Sequence, residues 1–338
     1  MSAHAWLSHP HADKIACDAC HQACLLAEGE TGICGIRQVQ NHQLQLLVYA
    51  KASALNLDPV EKKPLYHFLP ATQTLSLGTV GCNFSCTFCQ NSTISQYPKD
   101  IGGIKGDSLP PEHIISLALK HQAQSISYTY NEPVVFFEYA YDTAKLAHAH
   151  GLKNIFVTSG YETHKAIDTI APYLDAMNID LKSFNNEFYK EICGAKLKPV
   201  LDTIKYAHQK GVWIEITTLF IPNKNDSIDE MRAIAHFIAS IDKDIPWHIS
   251  AFRPQYKMQD IQSTPHQTLK TAYDIGIEAG LNYVYTGNIV DDTRMNSYCP
   301  KCKHIVIERK NSLGSEVKNH LKDGKCPHCQ TKIKGVFL

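Results

Sequence analysis

The chain has 338 residues, 33 Lys and Arg against 33 Asp and Glu, and 44% apolar residues. Zero formal charge gives no electrostatic case for nucleic acid or a membrane surface as partner. No apolar run is long enough to span a bilayer, and Met1 to Trp6 lacks the basic-then-apolar pattern of a signal peptide. The cytoplasm is therefore the expected compartment, and there twelve cysteines grouped at short spacing read as metal ligands and not as disulfides.

Composition divides the chain at about residues 70 and 290. The first segment, residues 1–70, carries Cys17, Cys20, Cys24 and Cys34, with His21 among them. Four cysteines at this density suit tetrahedral zinc, through four thiolates or three plus His21, which would staple a segment too short to build its own core. An auxiliary iron–sulfur cluster is the competing reading. Free thiols at that density would invite oxidation. Gln43 to Ala50 alternates apolar and polar residues and predicts a strand. Residues 58–68, from Asp58 to Phe68, read as a polar loop bounded by proline. Its nearness in sequence to the next motif makes it a candidate contact for a substrate or an electron donor.

Thr74 to Val80 alternates like a strand and runs into Gly81-Cys82-Asn83-Phe84-Ser85-Cys86-Thr87-Phe88-Cys89-Gln90-Asn91. Three cysteines at C-x-x-x-C-x-x-C suit a 4Fe–4S cluster, whose irons are held by Cys sulfur. Three ligands leave one iron open. An open iron can bind S-adenosylmethionine (SAM) by its amino and carboxylate groups. Electron transfer from the cluster would then split the sulfonium and give an adenosyl radical, chemistry that belongs to the cofactor while the protein aims it. A zinc knuckle is the alternative, but zinc usually takes paired C-x-x-C hooks and a fourth ligand. No fourth ligand lies nearby.

From Thr74 onward strands and helices alternate. Helical patterns cover 111–122, 134–150, 162–173, 199–210, 227–241 and 268–279, with Gly151 and Gly211 as stops. Strands are predicted at 126–130, 154–158, 176–181, 213–220, 247–252 and 282–285. Alternation of this kind means βαβ units, a parallel sheet and an α/β barrel, closed or partly closed, over residues 71–290. Chemistry in such folds sits at the C-terminal strand ends. Those ends carry Asn131 and Glu132, Thr158 and Ser159, Asp180 and Lys182, Glu215, and His248. Charged residues inside apolar strands are costly unless paired or functional. Each alone could be a structural ion pair; together, beside a cluster loop, they predict a site.

The tail, residues 291–338, holds Cys299-Pro300-Lys301-Cys302 and Cys326-Pro327-His328-Cys329. Two hooks joined by a short β-like stretch, Ile305 to Ile307, are a zinc-ribbon signature. Cys193 stands alone and reads as a small buried hydrophobe.

The Cys82–Cys89 motif, with Phe88 before its last cysteine, resembles that of radical SAM enzymes. The resemblance implies the six-unit partial barrel of that superfamily. Residues 70–287 are similar to glycyl-radical-enzyme activating proteins. Asn131-Glu132-Pro133 lies where those carry Gly-Gly-Glu-Pro around the SAM amino group, with Tyr130 and Asn131 replacing the glycines. Thr158-Ser159-Gly160 resembles their Thr-Asn-Gly. Asp180 and Lys182 resemble an Asp-x-Lys pair that meets the SAM carboxylate or a nearby cation, and His248 a histidine near the SAM methionine or ribose. Nearly the whole chain, with Glu61 to Phe68, Cys89-Gln90-Asn91, Trp247-His248 and both ends, resembles the radical SAM component of the AmmeMemoRadiSam system. That likeness implies Memo-like and AMMECR-type partners. The family also implies a reductant such as flavodoxin or ferredoxin. The expected function is reductive SAM cleavage, then hydrogen abstraction from a substrate such as a glycyl residue of a partner protein. The alternatives are radical modification of a small molecule or peptide side chain, and a metal-stabilised scaffold without catalysis. A scaffold has no need of a three-ligand cluster facing a polar barrel mouth.

Overall fold

The computed structural model describes residues 3–291, 293–310 and 316–337. The predicted alternation becomes one eight-stranded sheet. Its strands are β1 (Ala54–Pro59), β2 (Gln73–Gly78), β3 (Ser125–Tyr128), β4 (Lys153–Thr158), β5 (Ala176–Asp180), β6 (Trp213–Phe220), β7 (Trp247–Ala251) and β8 (Val284–Gly287). They lie side by side in that order. Seven run parallel, from β2 to β8, and β1 pairs antiparallel with β2, Ala54 opposite Gly78. Among the described residues no pairing joins β8 to β1, so the barrel stays open. The parallel strands are buried on both faces, which is why they read as near-continuous apolar runs.

Six helices form the crossovers: α1 (Pro111–Lys120), α2 (Phe137–Ala149), α3 (His164–Ile170), α4 (Leu197–Gln209), α5 (Ile228–Ile241) and α6 (His266–Glu278). Their amphipathic spacing explains their docking. In α4, Leu197, Val200, Ile204 and Ala207 fall on one face and are buried. Side-chain caps fix two starts: Thr163 accepts from Ala166 N at 3.1 Å, and Ser227 from Glu230 N at 3.3 Å.

The cysteine-rich first segment forms two small three-stranded antiparallel sheets. Ala5, Leu7, Ile36, Leu44 and Val48 merge into the same apolar core as the main sheet. A buried ion pair crosses that junction, Arg37 to Glu138 at 2.6 Å. The predicted strand at 43–50 is present as Gln43–Leu46. β1, by contrast, falls partly in the stretch read as loop.

The tail is a three-stranded sheet of Ser297–Tyr298, Ile305–Lys310 and Glu316–Asn319. It packs on Tyr66, Tyr283 and Tyr285 in a separate apolar cluster. Its end pairs with the stretch before β2: Leu69 N donates to Val336 O and Val336 N to His67 O, both at 2.8 Å.

Candidate active site

All seven parallel strands point their C-terminal ends at one cleft of about 700 Å³. The loop after β2 brings Cys82, Cys86 and Cys89 to its wall. Asn131, Glu132, Thr158, Ser159, Asp180, Lys182 and His248 line the same cleft, so candidates from four strand ends converge on the cysteine loop. Asp58, Glu61, Lys62, Lys63, Pro64 and Tyr66 close another side, which makes the polar stretch before β2 part of the wall.

The cysteine loop is held from several directions. Asn131 spends its amide on the loop backbone: Oδ1 accepts from Thr79 N at 3.1 Å, and Nδ2 donates to Gly81 O at 2.8 Å. Ser85 N and Thr87 N donate to Cys193 O and Ile192 O, at 2.9 and 3.0 Å. That pairing brings a five-residue π-helix, Tyr189–Cys193, against the loop. It closes on Gly194 at φ +67°, where a Cβ would sit 2.3 Å from Ser85 Oγ. Only glycine allows both the left-handed backbone and that approach. Cys193 is buried, and this neighbour, together with burial, pushes the Cys86 thiol well above its ordinary value. Ser95 Oγ lies 3.1 Å from Cys89 Sγ.

Tyr130 takes φ +68°, a left-handed conformation that is strained for a bulky residue. Its hydroxyl donates to Asp58 Oδ2 at 2.8 Å and anchors the ring. Asp58 is itself drawn into the cleft. Burial raises its carboxyl, but Lys63 Nζ at 2.8 Å and hydrogen bonds from Tyr130 and Ser76 outweigh that and hold it low.

Glu132 is buried. Its Oε2 accepts from Ser159 N at 2.8 Å. Thr158 Oγ1 lies 2.6 Å from both Glu132 Oε1 and Glu162 Oε1, and accepts from Gly160 N at 3.0 Å. A hydroxyl has one hydrogen, so one carboxyl must bring its own. Burial, and then the Glu132 charge, push Glu162 up to about 8. Glu162 therefore donates to Thr158, and Thr158 to Glu132. Sequence reasoning missed Glu162, which sits at a helix entrance and meets Glu132 only through the fold.

Lys182 Nζ lies 2.6 Å from Asp180 Oδ2. Burial lowers the lysine, but the Asp180 carboxylate beside it outweighs that and raises it well above its ordinary value. It stays a cation at the cleft wall. His248 Nε2 lies 2.6 Å from Glu215 Oε2. Glu215 does not line the cleft. It accepts from Tyr66 N, His67 N and Trp213 Nε1 at 2.9, 2.8 and 3.0 Å, and so clamps the wall from behind.

The tail cysteines form a second, different centre. Cys299 Sγ lies 3.5 Å from Cys329 Sγ, and Cys302 Sγ 3.6 Å from Cys326 Sγ. All four sulfurs lie within 4.8 Å of one another, which suits one small ion. Among the described residues no other set of three or more is drawn so close. Cys82, Cys86 and Cys89 share one loop and one wall at a wider spacing, and so fit a polynuclear cluster better than a single ion.

Residues 76–238 match the family model of the radical SAM superfamily. An uncharacterized protein of Methanocaldococcus jannaschii is 42% identical over 326 residues, 96% of each chain. The chain belongs to the radical SAM superfamily. As a radical SAM enzyme it is similar to the pyruvate formate-lyase-activating enzyme of Clostridium pasteurianum, 22% identical over 56% of this chain and 84% of that one. Its fold is similar to a radical SAM methyltransferase from Sphaerobacter thermophilus, with a TM-score of 0.53, 14% identity and coverage of 70% and 71%. Membership implies a 4Fe–4S cluster and SAM. No helix among the described residues is long and apolar enough to cross a membrane.

Proposed function

We propose that this radical SAM enzyme acts on a segment of a partner protein, with a backbone glycine as the favoured site of hydrogen abstraction. The observation that carries the reading is one cleft that joins three thiols, a buried carboxylate and a paired lysine. When bound, the cluster and SAM supply reductive cleavage of the sulfonium and hydrogen abstraction, with methionine and 5′-deoxyadenosine as products. Cys82, Cys86 and Cys89 would hold the cluster. Glu132, whose carboxyl burial raises while hydrogen bonds from Thr158 and Ser159 and the Lys182 charge oppose it, would receive the SAM ammonium, and Ser159 keeps Glu132 aimed. Lys182 would receive the SAM carboxylate, in exchange for part of its contact with Asp180. Asn131 shapes the cysteine loop, and His248 gives an aromatic edge beside Tyr66, with ring centroids 4.7 Å apart.

The tail Cys299, Cys302, Cys326 and Cys329 would hold structural zinc. A one-electron donor such as flavodoxin or ferredoxin would feed the site, in a reducing cytoplasm. Memo-like and AMMECR-type proteins are the partners we favour from the likeness along the whole chain. The unclosed sheet favours a macromolecular substrate, since a missing strand pairing leaves a side entrance for a loop. The second reading is a small molecule or peptide side chain, because a cleft of this volume also suits a free ligand.

Deuterium transfer separates the two. The reconstituted enzyme is given SAM, dithionite and proteins from deuterated cells, split by size. Deuterium in 5′-deoxyadenosine from the macromolecular fraction supports the proposal. Deuterium from the small-molecule filtrate alone transfers support to the second reading.

A further inference from the structure

The four cysteines of the first segment line one cavity, although they come from a hairpin, a turn and a loop. Cys20 and Cys34 are buried, and Cys17 and Cys24 half-buried. His21 does not line that cavity. Its ring packs edge-on against Tyr161, with centroids 5.7 Å apart. The donor set is thus four sulfurs, with Leu26, Val134 and Val135 as dry walls.

Size distinguishes the candidates for this cavity. Four thiolates on one zinc, at about 2.3 Å each, stand about 3.8 Å apart. The tail sulfurs have that spacing, at 3.5 and 3.6 Å. The set of Cys17, Cys20, Cys24 and Cys34 is not drawn to it. A 4Fe–4S cluster puts a cube of irons and sulfides between its thiolates and needs the wider frame.

A second observation comes from Asn83, which lines the cavity at 1% exposure. Its Nδ2 makes no hydrogen bond. A buried amide without an acceptor is an exception that needs a cause. Sulfides and thiolates of a cluster accept N–H groups. The other end of the same amide faces the radical SAM loop: Asn83 Oδ1 accepts from Cys82 Sγ at 3.8 Å. One side chain therefore stands between the two sulfur sets.

We propose that Cys17, Cys20, Cys24 and Cys34 hold a second, fully ligated 4Fe–4S cluster, with Asn83 donating to its sulfur. Having no open iron, it binds no SAM. It takes one electron from a protein reductant of the flavin or iron–sulfur class and passes one to the cluster at Cys82, Cys86 and Cys89. This relay rests on the function proposed above; the metal site itself does not.

The full chain is reconstituted anaerobically with iron and sulfide, then analysed for metals. The wild type is expected to hold about eight irons and one zinc. Cys82→Ala/Cys86→Ala/Cys89→Ala is expected to keep about four irons and the brown absorbance. Two zincs in the wild type, with a colourless triple variant, would overturn the proposal. One zinc and about four irons in both proteins would keep this site and remove the radical SAM cluster instead. The wild-type iron-to-zinc ratio decides even if the triple variant fails to fold. Asn83→Leu in the triple variant is expected to keep the iron and shift the midpoint potential of the remaining cluster. An unshifted potential would remove Asn83 from the site.

Discussion

Thr158 has one hydroxyl hydrogen and two carboxyl neighbours at 2.6 Å. One of the two must carry a proton, and burial, with the Glu132 charge, pushes Glu162 up to about 8. A carboxyl raised above its unfolded value near 4.5 binds more protons folded than unfolded. Its linkage therefore makes stability fall as pH rises from about 4.5 to about 8. Glu162→Gln keeps a donor in place and removes the titration. We expect its melting temperature to fall less steeply than the wild type's over that window. Equal slopes would mean that Glu162 is already ionised. Lys182 tests the opposite charge. Asp180, the lysine's partner, keeps 37% of its side chain in water. Lys182→Met should therefore cost less than the roughly 3–5 kcal/mol of a fully buried pair broken on one side. We expect SAM affinity to drop at least tenfold with the cluster iron retained, read by equilibrium binding beside thermal unfolding. Normal affinity with a large loss of stability would leave Lys182 a purely structural residue.

At the scale of elements, the barrel strands were legible because apolar alternation and glycine stops are local signals. β1 was not. Its inward residue is Asp58, whose burial is offset by Lys63, while Leu57 faces solvent, so the amphipathic rule is inverted there. The π-helix at Tyr189–Cys193 was equally hidden, since its reason is the cysteine loop it braces. The tail hooks were legible from spacing, but their reach was not. Arg309 crosses from the tail at 1% exposure, donates to Tyr66 O at 2.6 Å and covers the Tyr66 ring at 4.0 Å. Glu215 holds the same segment from the barrel side. The tail thereby supports a wall of the cleft. Cys326→Ser/Cys329→Ser should lose one zinc per chain, keep the cluster iron and weaken SAM binding several-fold, about 1 kcal/mol. Unchanged SAM affinity in a protein that has lost its tail zinc would confine the tail to a separate role.

At the scale of the molecule, the sheet is the part that the sequence states most fully, and the merging of the first segment into its core is the part it states least. Ala5, Ile36 and Val48 read as an isolated module until the fold shows them against the barrel. Convergence of Asn131, Glu132, Thr158, Asp180, Lys182 and His248 was legible because parallel strands put all their C-terminal ends on one side. The pairings behind them, Glu132 with Glu162 and His248 with Glu215, depend on contacts about 30 residues apart and could not be read from spacing. The chemistry of the molecule is concentrated in that one mouth. The most direct test is product formation by the anaerobically reconstituted protein with dithionite and SAM alone. Methionine and 5′-deoxyadenosine are expected in equal amounts from the wild type, and none above background from Cys82→Ala/Cys86→Ala/Cys89→Ala. A wild type with full iron content that leaves SAM intact, or a triple variant that cleaves it equally well, would contradict that chemistry.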